Sequence, residues 1–208
     1  YEFKDLDEYL KRHRGIVYCL VRRKNNEEPL ARLKQKIVFY FGNEYFEEYK
    51  DRIQVIEGDI VEKDFKLSKE DYELVRKNIT TVINAGALVK HFGTAELFNR
   101  INVDGTQNVV DFCKETEKRL IHISTISVSG NGEKEENIKE TEENINNKKI
   151  FKENTLYIDQ NISGIYTITK YKAEMIVLKA IEEGLDAQVL RMGNITNRYS
   201  DGVFQQNV

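Results

Sequence analysis

The feature that most constrains the fold is an alternation. Apolar runs of strand length recur at 16–21, 52–60, 80–87, 120–128 and 187–192, and stretches with helical spacing lie between them. The first run, Ile16-Val-Tyr-Cys-Leu-Val21, is apolar on both alternating faces. A strand covered on one side only would interleave polar residues, so this pattern predicts a strand buried on both faces, as in a parallel sheet. Helical spacing is expected over 1–14 with Gly15 as its stop, and over 28–49 with Leu30, Leu33, Ile37 and Phe41 turned to a core. A further helix begins after Leu67, with Ser68 as N-cap and Asp71 in the place of a capping-box acid. Another spans 94–117 with an interruption at 102–106. The last has Ser163 as N-cap, runs to Glu183, stops at Gly184 and turns Val177, Leu178 and Ile181 inward. Strands alternating with helices in this way predict an α/β fold, a doubly wound parallel sheet.

Such sheets bind ligands beyond the carboxyl ends of their strands. Arg22, Asp59, the Ala85, Gly86 and Ala87 run, Thr125 and Gly193 all fall at such ends. Small residues there let a ligand approach the backbone closely. The predicted last helix carries Tyr166 and Lys170, four apart and therefore on one face. An ammonium beside a phenol favours the phenolate and lowers the phenol's pKa from about 10, which makes a proton donor usable near neutral pH.

Composition excludes several other readings. Net charge is −3, so no strong basic balance points to nucleic acid. No run approaches a membrane span, and no signal peptide opens the sequence. Cys19 and Cys113 lie far apart in apolar settings, and His13, His91 and His122 show no ligand spacing. No disulfide framework or metal site is expected, and the reading is of a cytoplasmic protein. The segment 131–150 is dominated by Glu, Lys and Asn and reads as a flexible insertion. The chain opens on Tyr1 and its pattern continues to Val208, so it is expected to be a single nucleotide-binding domain incomplete at both ends.

Taken together, the Tyr166-x-x-x-Lys170 pair and Thr125, five residues before Gly130, resemble the extended short-chain dehydrogenase/reductase superfamily. A narrower likeness rests on Val17–Arg23, Gly58-Asp59-Ile60, Asn102-Val-Asp-Gly-Thr106, Ile123-Ser-Thr-Ile-Ser127, Tyr166–Glu174 and above all Arg191-Met-Gly-Asn-Ile-Thr-Asn-Arg-Tyr-Ser-Asp-Gly202. These look like the thioester reductase domains that close nonribosomal peptide synthetases and occur in carboxylic acid reductases.

The resemblance implies a Rossmann fold and a catalytic set of Thr125, Tyr166 and Lys170. It implies NADPH as cofactor. Arg22 stands where NAD enzymes usually carry an acid, and an arginine there suits a 2′-phosphate. Arg32 matches a second family arginine near that phosphate, and Arg23 is an alternative to either. Asp59 and Ile60 are expected to flank the adenine. Ala85, Gly86 and Ala87 are expected to line the cofactor's path, with Tyr166, Lys170, Gly193 and Asn194 completing the contacts. Asn102 resembles a helix asparagine of some proton relays, but a structural role at the helix break is the preferred reading. The implied partner is a phosphopantetheine-bearing carrier domain presenting an acyl or peptidyl thioester, within a larger multidomain synthetase. The same superfamily offers two alternatives: a nucleotide-sugar epimerase or dehydratase, and a non-catalytic NADP-sensing protein.

One departure has a structural consequence. The family's first strand and its Gly-x-x-Gly-x-x-Gly loop, which seats a pyrophosphate on a helix N-terminus, have no counterpart before Ile16. In the strand order 3-2-1-4-5-6 the missing strand is central. The sheet is therefore expected to part there by roughly 10 Å, two interstrand spacings.

Overall fold

The computed structural model describes residues 2–89, 92–130 and 151–193. Its strands are β1 (Val17–Val21), β2 (Ile53–Glu57), β3 (Thr81–Asn84), β4 (Arg119–Thr125) and β5 (Ala187–Met192). All the pairings between them are parallel, in two separate sheets ordered β1-β2 and β3-β4-β5. Among the described residues nothing pairs β1 with β3. The sheet is thus divided where the absent central strand was expected to divide it.

The helices are α1 (Glu2–Arg12), α2 (Pro29–Phe41), α3 (Asn43–Tyr49), α4 (Lys69–Asn78), α5 (Ala95–Phe98), α6 (Gly105–Thr116) and α7 (Ile165–Glu182). The two sides of β1 serve two cores, as its all-apolar sequence requires. Val17, Cys19 and Val21 pack with Leu6, Leu10, Leu33, Ile37 and Phe46 from α1, α2 and α3. Tyr18 turns to the other core, where Ile56, Val109, Val110, Leu120 and Val177 join β2, β4, α6 and α7. Each such aliphatic side chain contributes about 1.5–3 kcal/mol on full burial. Leu20 and Ile83, on β1 and β3 at the two sides of the sheet's division, remain 40% and 50% exposed.

Three boundaries differ from the expectation. The helix predicted over 28–49 is two helices, parted by Gly42, whose φ of 89° only glycine adopts without strain. The cap of α7 is Gly164 (φ 83°), not Ser163, and it offers no side-chain cap. Ala173 and Ala180 join Val177 in the core, whereas Leu178 and Ile181 are half-buried. The Ser68 cap forms as predicted, with its hydroxyl accepting from the Asp71 N–H at 3.0 Å.

The predicted interruption at 102–106 is a stretch of wide π-helical turn, Asn99–Asp104, between α5 and α6. The Asn102 carboxamide accounts for its place. It accepts from the Leu88 N–H at 2.6 Å and donates to the Leu88 carbonyl at 3.3 Å and to Thr169 Oγ1 at 2.9 Å. Asn102 is 1% exposed and joins the loop after β3 to the first turns of α7, a structural role. Among the described residues no helix is long and apolar enough to cross a membrane. The segment 131–150 lies outside the described residues.

Candidate active site

Helix α7 enters against β4 and the short turn that follows it, Ile126–Ser129. This brings Lys170 to the carboxyl end of β4. Its ammonium donates to the Ile123 carbonyl at 2.6 Å and lies 3.5 Å from His122 Nε2. Lys170 is 3% exposed, and burial lowers its pKa to about 8 against the partial opposition of the Glu174 carboxylate one turn along. Tyr166, one turn earlier on the same helix, is half-buried. Thr125 ends β4, two residues beyond the carbonyl that holds Lys170. Its half-buried hydroxyl accepts from the Ser127 N–H and donates to Ser127 Oγ, both at 3.2 Å. The three predicted catalytic residues therefore belong to one junction, built from the end of β4 and the first turns of α7.

A second group gathers at the ends of β1 and β2. The Arg22 guanidinium is 3.4 Å from the Asp59 carboxylate and more than half exposed. Arg32, on the first turn of α2, donates through Nη1 to the Arg22 carbonyl. Arg22, Arg32 and Asp59 are thus neighbours. Arg23 does not join them. Its guanidinium forks onto Glu57 at 2.6 and 2.8 Å and onto both carboxylate oxygens of Glu28. That commits all three of its nitrogens to an acidic clasp between β2 and the start of α2.

Ile60 links this group to the end of β3. A Cβ built on Gly86 would lie 3.1 Å from Ile60 Cδ1, and one on Gly105 would lie 3.3 Å from Ile60 Cγ1. Glycine is therefore the fitting residue at Gly86, with Ala85 and Ala87 half-buried on either side. Gly58 is tighter still: a Cβ there would come within 2.6 Å of the Phe65 carbonyl oxygen. Gly193 follows β5 at the same edge. Asn194 and the rest of the motif ending at Gly202 lie outside the described residues.

Sequence reasoning passed over two parts of this arrangement. One is Asn84 and His122, buried on adjacent strands beneath Lys170. The other is the ion pair of Glu174, fully buried, with Arg191 at 2.9 Å. The Arg191 guanidinium also reaches the Lys152 and Glu153 carbonyls at 3.3 and 3.2 Å and stacks 4.7 Å over Phe151. It ties the segment after 150 to α7. A surface depression of about 540 Å³ between α6 and the loop before β5 lies at the amino end of β4, away from all these residues.

Parallel strands ending in small residues, with arginines at one strand end and a buried lysine at another, define a dinucleotide-binding domain of the Rossmann type. Residues 6–208 match the NAD-binding family described as Male sterility protein, and the chain belongs to that family. A linear gramicidin synthase of Brevibacillus parabrevis is 28% identical over 194 residues, covering 92% of this chain and 4% of that protein. The fatty acyl-CoA reductase wat of Drosophila melanogaster is 26% identical over 210 residues, covering 91% and 39%. Among solved structures, a thiolation-reductase di-domain from an archaeal non-ribosomal peptide synthetase superposes with a TM-score of 0.79 at 35% identity, covering 97% of this chain and 40% of that one. The chain thus spans less than half of each of these proteins.

Proposed function

We propose that this chain is the nucleotide-binding part of an NADPH-dependent reductase that releases an acyl or peptidyl group from a carrier-bound thioester as an aldehyde. Residues 1–208 form one nucleotide-binding unit on this reading, within a larger multidomain synthetase. The observation that carries it is the junction of α7 with β4. There a buried lysine is bonded to the strand that ends in Thr125, one helical turn from Tyr166.

The residues present fit the adenosine half of a phosphorylated dinucleotide. Arg22 and Arg32 offer guanidinium donors at the end of β1, where charge and fork geometry suit a 2′-phosphate. On this reading Asp59 and Ile60 border the adenine position, with Ile60 packed closely against Gly86. The bound nicotinamide would supply the hydride. Tyr166 donates its hydroxyl proton to the substrate oxygen as charge develops there, and Thr125 gives a second hydrogen bond. The Lys170 ammonium would hold the nicotinamide ribose by a hydrogen bond and favours loss of the Tyr166 proton. Reduction of the thioester carbonyl yields a hemithioacetal; its C–S bond then breaks, leaving the aldehyde and the carrier's phosphopantetheine thiol. A second reduction would give the alcohol.

The test uses the full-length protein with an acyl group loaded on a phosphopantetheine carrier. NADPH absorbance and product mass are followed together. The reading predicts NADPH oxidation matched to aldehyde or alcohol. No oxidation with any acyl thioester, alongside turnover of a nucleotide sugar, would replace it with the epimerase reading.

A further inference from the structure

His122 sits in the middle of β4 with no exposed surface, on the same buried strand face as Leu120 and Ser124. Its two ring nitrogens are both engaged. Nε2 lies 3.5 Å from the Lys170 ammonium, and Nδ1 lies 3.2 Å from the Asn84 carboxamide nitrogen. That carboxamide also reaches Thr106 Oγ1 at 3.3 Å, and Thr106 in turn donates to the Asn102 carbonyl at 2.7 Å. The Asn84 Oδ1 atom is buried and has no hydrogen-bond partner among the described residues. A polar chain therefore runs from β3 through β4 to the lysine of α7.

We propose that His122 is a positioning residue for Lys170: a neutral imidazole, protonated on Nδ1, whose Nε2 lone pair and the neighbouring Ile123 carbonyl together hold the ammonium in place. The inference rests on Lys170 serving the reaction as proposed above. Its logic is one of donors and acceptors. An ammonium has three donors and no acceptor, so the nitrogen facing it must carry a lone pair. The ring proton is then on Nδ1 and needs an acceptor across the strand pair. Asn84 is the side chain there, and turning its amide about its own axis sets Oδ1 against Nδ1–H and also against Thr106 Oγ1, whose hydroxyl must then turn from the Asn102 carbonyl to donate to it.

Charge supports the same assignment. Burial, and after it the Lys170 cation, push the His122 pKa down to about 3, so between about pH 3 and pH 8 the ring is neutral while the lysine is charged. Among the described residues the Lys170 ammonium also feels the carboxylate of Glu174, one turn along α7 and paired with Arg191 on β5, and the titratable Tyr166 stands one turn earlier on the same helix. His122 thus provides an acceptor without adding a charge.

The experiment compares His122→Gln, His122→Leu and Lys170→Met in the full-length protein, with ¹⁵N spectra of the wild-type histidines. Gln can present a side-chain acceptor where Nε2 stands; Leu cannot. His122→Leu is expected to lower kcat about 10- to 100-fold, within the range of a hydrogen bond to a charged group. Its KM for NADPH should change much less. The alkaline limb of its rate profile should move to lower pH, because the charged lysine loses an acceptor. His122→Gln should recover most of both. Wild-type kcat and an unmoved limb in His122→Leu would overturn the proposal, provided Lys170→Met is inactive. An active Lys170→Met would instead remove the reading of Lys170 itself. Should the variants fail to fold, the spectra decide: His122 as a neutral Nδ1–H tautomer near pH 6 is the expected result, and an imidazolium or an Nε2–H form there overturns it.

Discussion

The Lys170 ammonium and the Ile123 carbonyl are joined by a hydrogen bond of 2.6 Å. This bond crosses from α7 to β4 and fixes the helix beside the strand end that carries Thr125. It replaces part of the hydration lost by a side chain that is 3% exposed, but burial still depresses the lysine's pKa to about 8.

A depressed pKa makes the lysine a stability liability below the pH at which it loses its proton. Between about pH 8 and the unfolded value near 10.5 the unfolded chain binds the extra proton, so this group's contribution to stability rises with pH. At pH 7 the charged lysine costs about 3 kcal/mol relative to its high-pH state. The expected outcome is that Lys170→Met loses turnover, yet its melting temperature relative to wild type is most favourable near pH 7 and less so near pH 10. Paired thermal melts across that range check it, and a pH-independent difference contradicts the burial argument.

Cofactor choice should depend on Arg22 and Arg32 rather than Arg23. Hydrogen bonds to charged groups contribute about 1.5–3 kcal/mol, so Arg22→Ala or Arg32→Ala should weaken NADPH binding by roughly 10- to 150-fold. NADH, which lacks the 2′-phosphate, should be affected much less. Arg23→Ala should act on stability instead, since its guanidinium is held by Glu28 and Glu57. Fluorescence titrations of both nucleotides against the three variants separate these effects.

Breaking the Glu174–Arg191 pair should be far more damaging than breaking any exposed pair. Glu174 is fully buried, and Arg191→Ala leaves its carboxylate unpaired, at a cost of about 3–5 kcal/mol. Removing Lys50 from its exposed pair with Glu47 should cost about 0–1 kcal/mol. Urea unfolding of both variants provides the comparison.

Gly58→Ala should destabilise by about 1–3 kcal/mol through overpacking. Its new methyl would meet the Phe65 carbonyl at 2.6 Å, with Leu20 and Leu67 side chains at 2.7 and 2.8 Å. Three contacts, one of them to backbone, leave it little room to relax. Gly42→Ala tests another origin of cost, since among the described residues nothing lies within 4 Å and the positive φ alone opposes it.

Much of this arrangement is legible in the residue order, because it follows from short-range rules. The apolar run 16–21 implies burial on both sides, and β1 does divide Val17, Cys19 and Val21 from Tyr18 between two cores. The spacing of Tyr166 and Lys170 sets one helical face. The absence of a glycine-rich first strand foretells the split between β1 and β3. The Asn84–His122–Lys170 chain is not legible in the same way. Its members are single polar residues within apolar stretches, and His122 and Lys170 are 48 positions apart. Only the crossing of α7 over β4 brings them together. Arg23 shows the converse limit: Arg22 and Arg23 are adjacent in sequence, but successive side chains leave a strand end in different directions, and Glu57 on the neighbouring strand claims the second.

The most direct test of the central claim is the separation of binding from turnover in Tyr166→Phe. The full-length variant, given NADPH and a carrier-bound acyl thioester, should bind the cofactor with near-wild-type affinity and lose about 10²- to 10⁴-fold in turnover, the range for a general acid. Near-wild-type turnover by Tyr166→Phe would contradict the assignment of Tyr166 as the proton donor, and with it the account of the junction between α7 and β4.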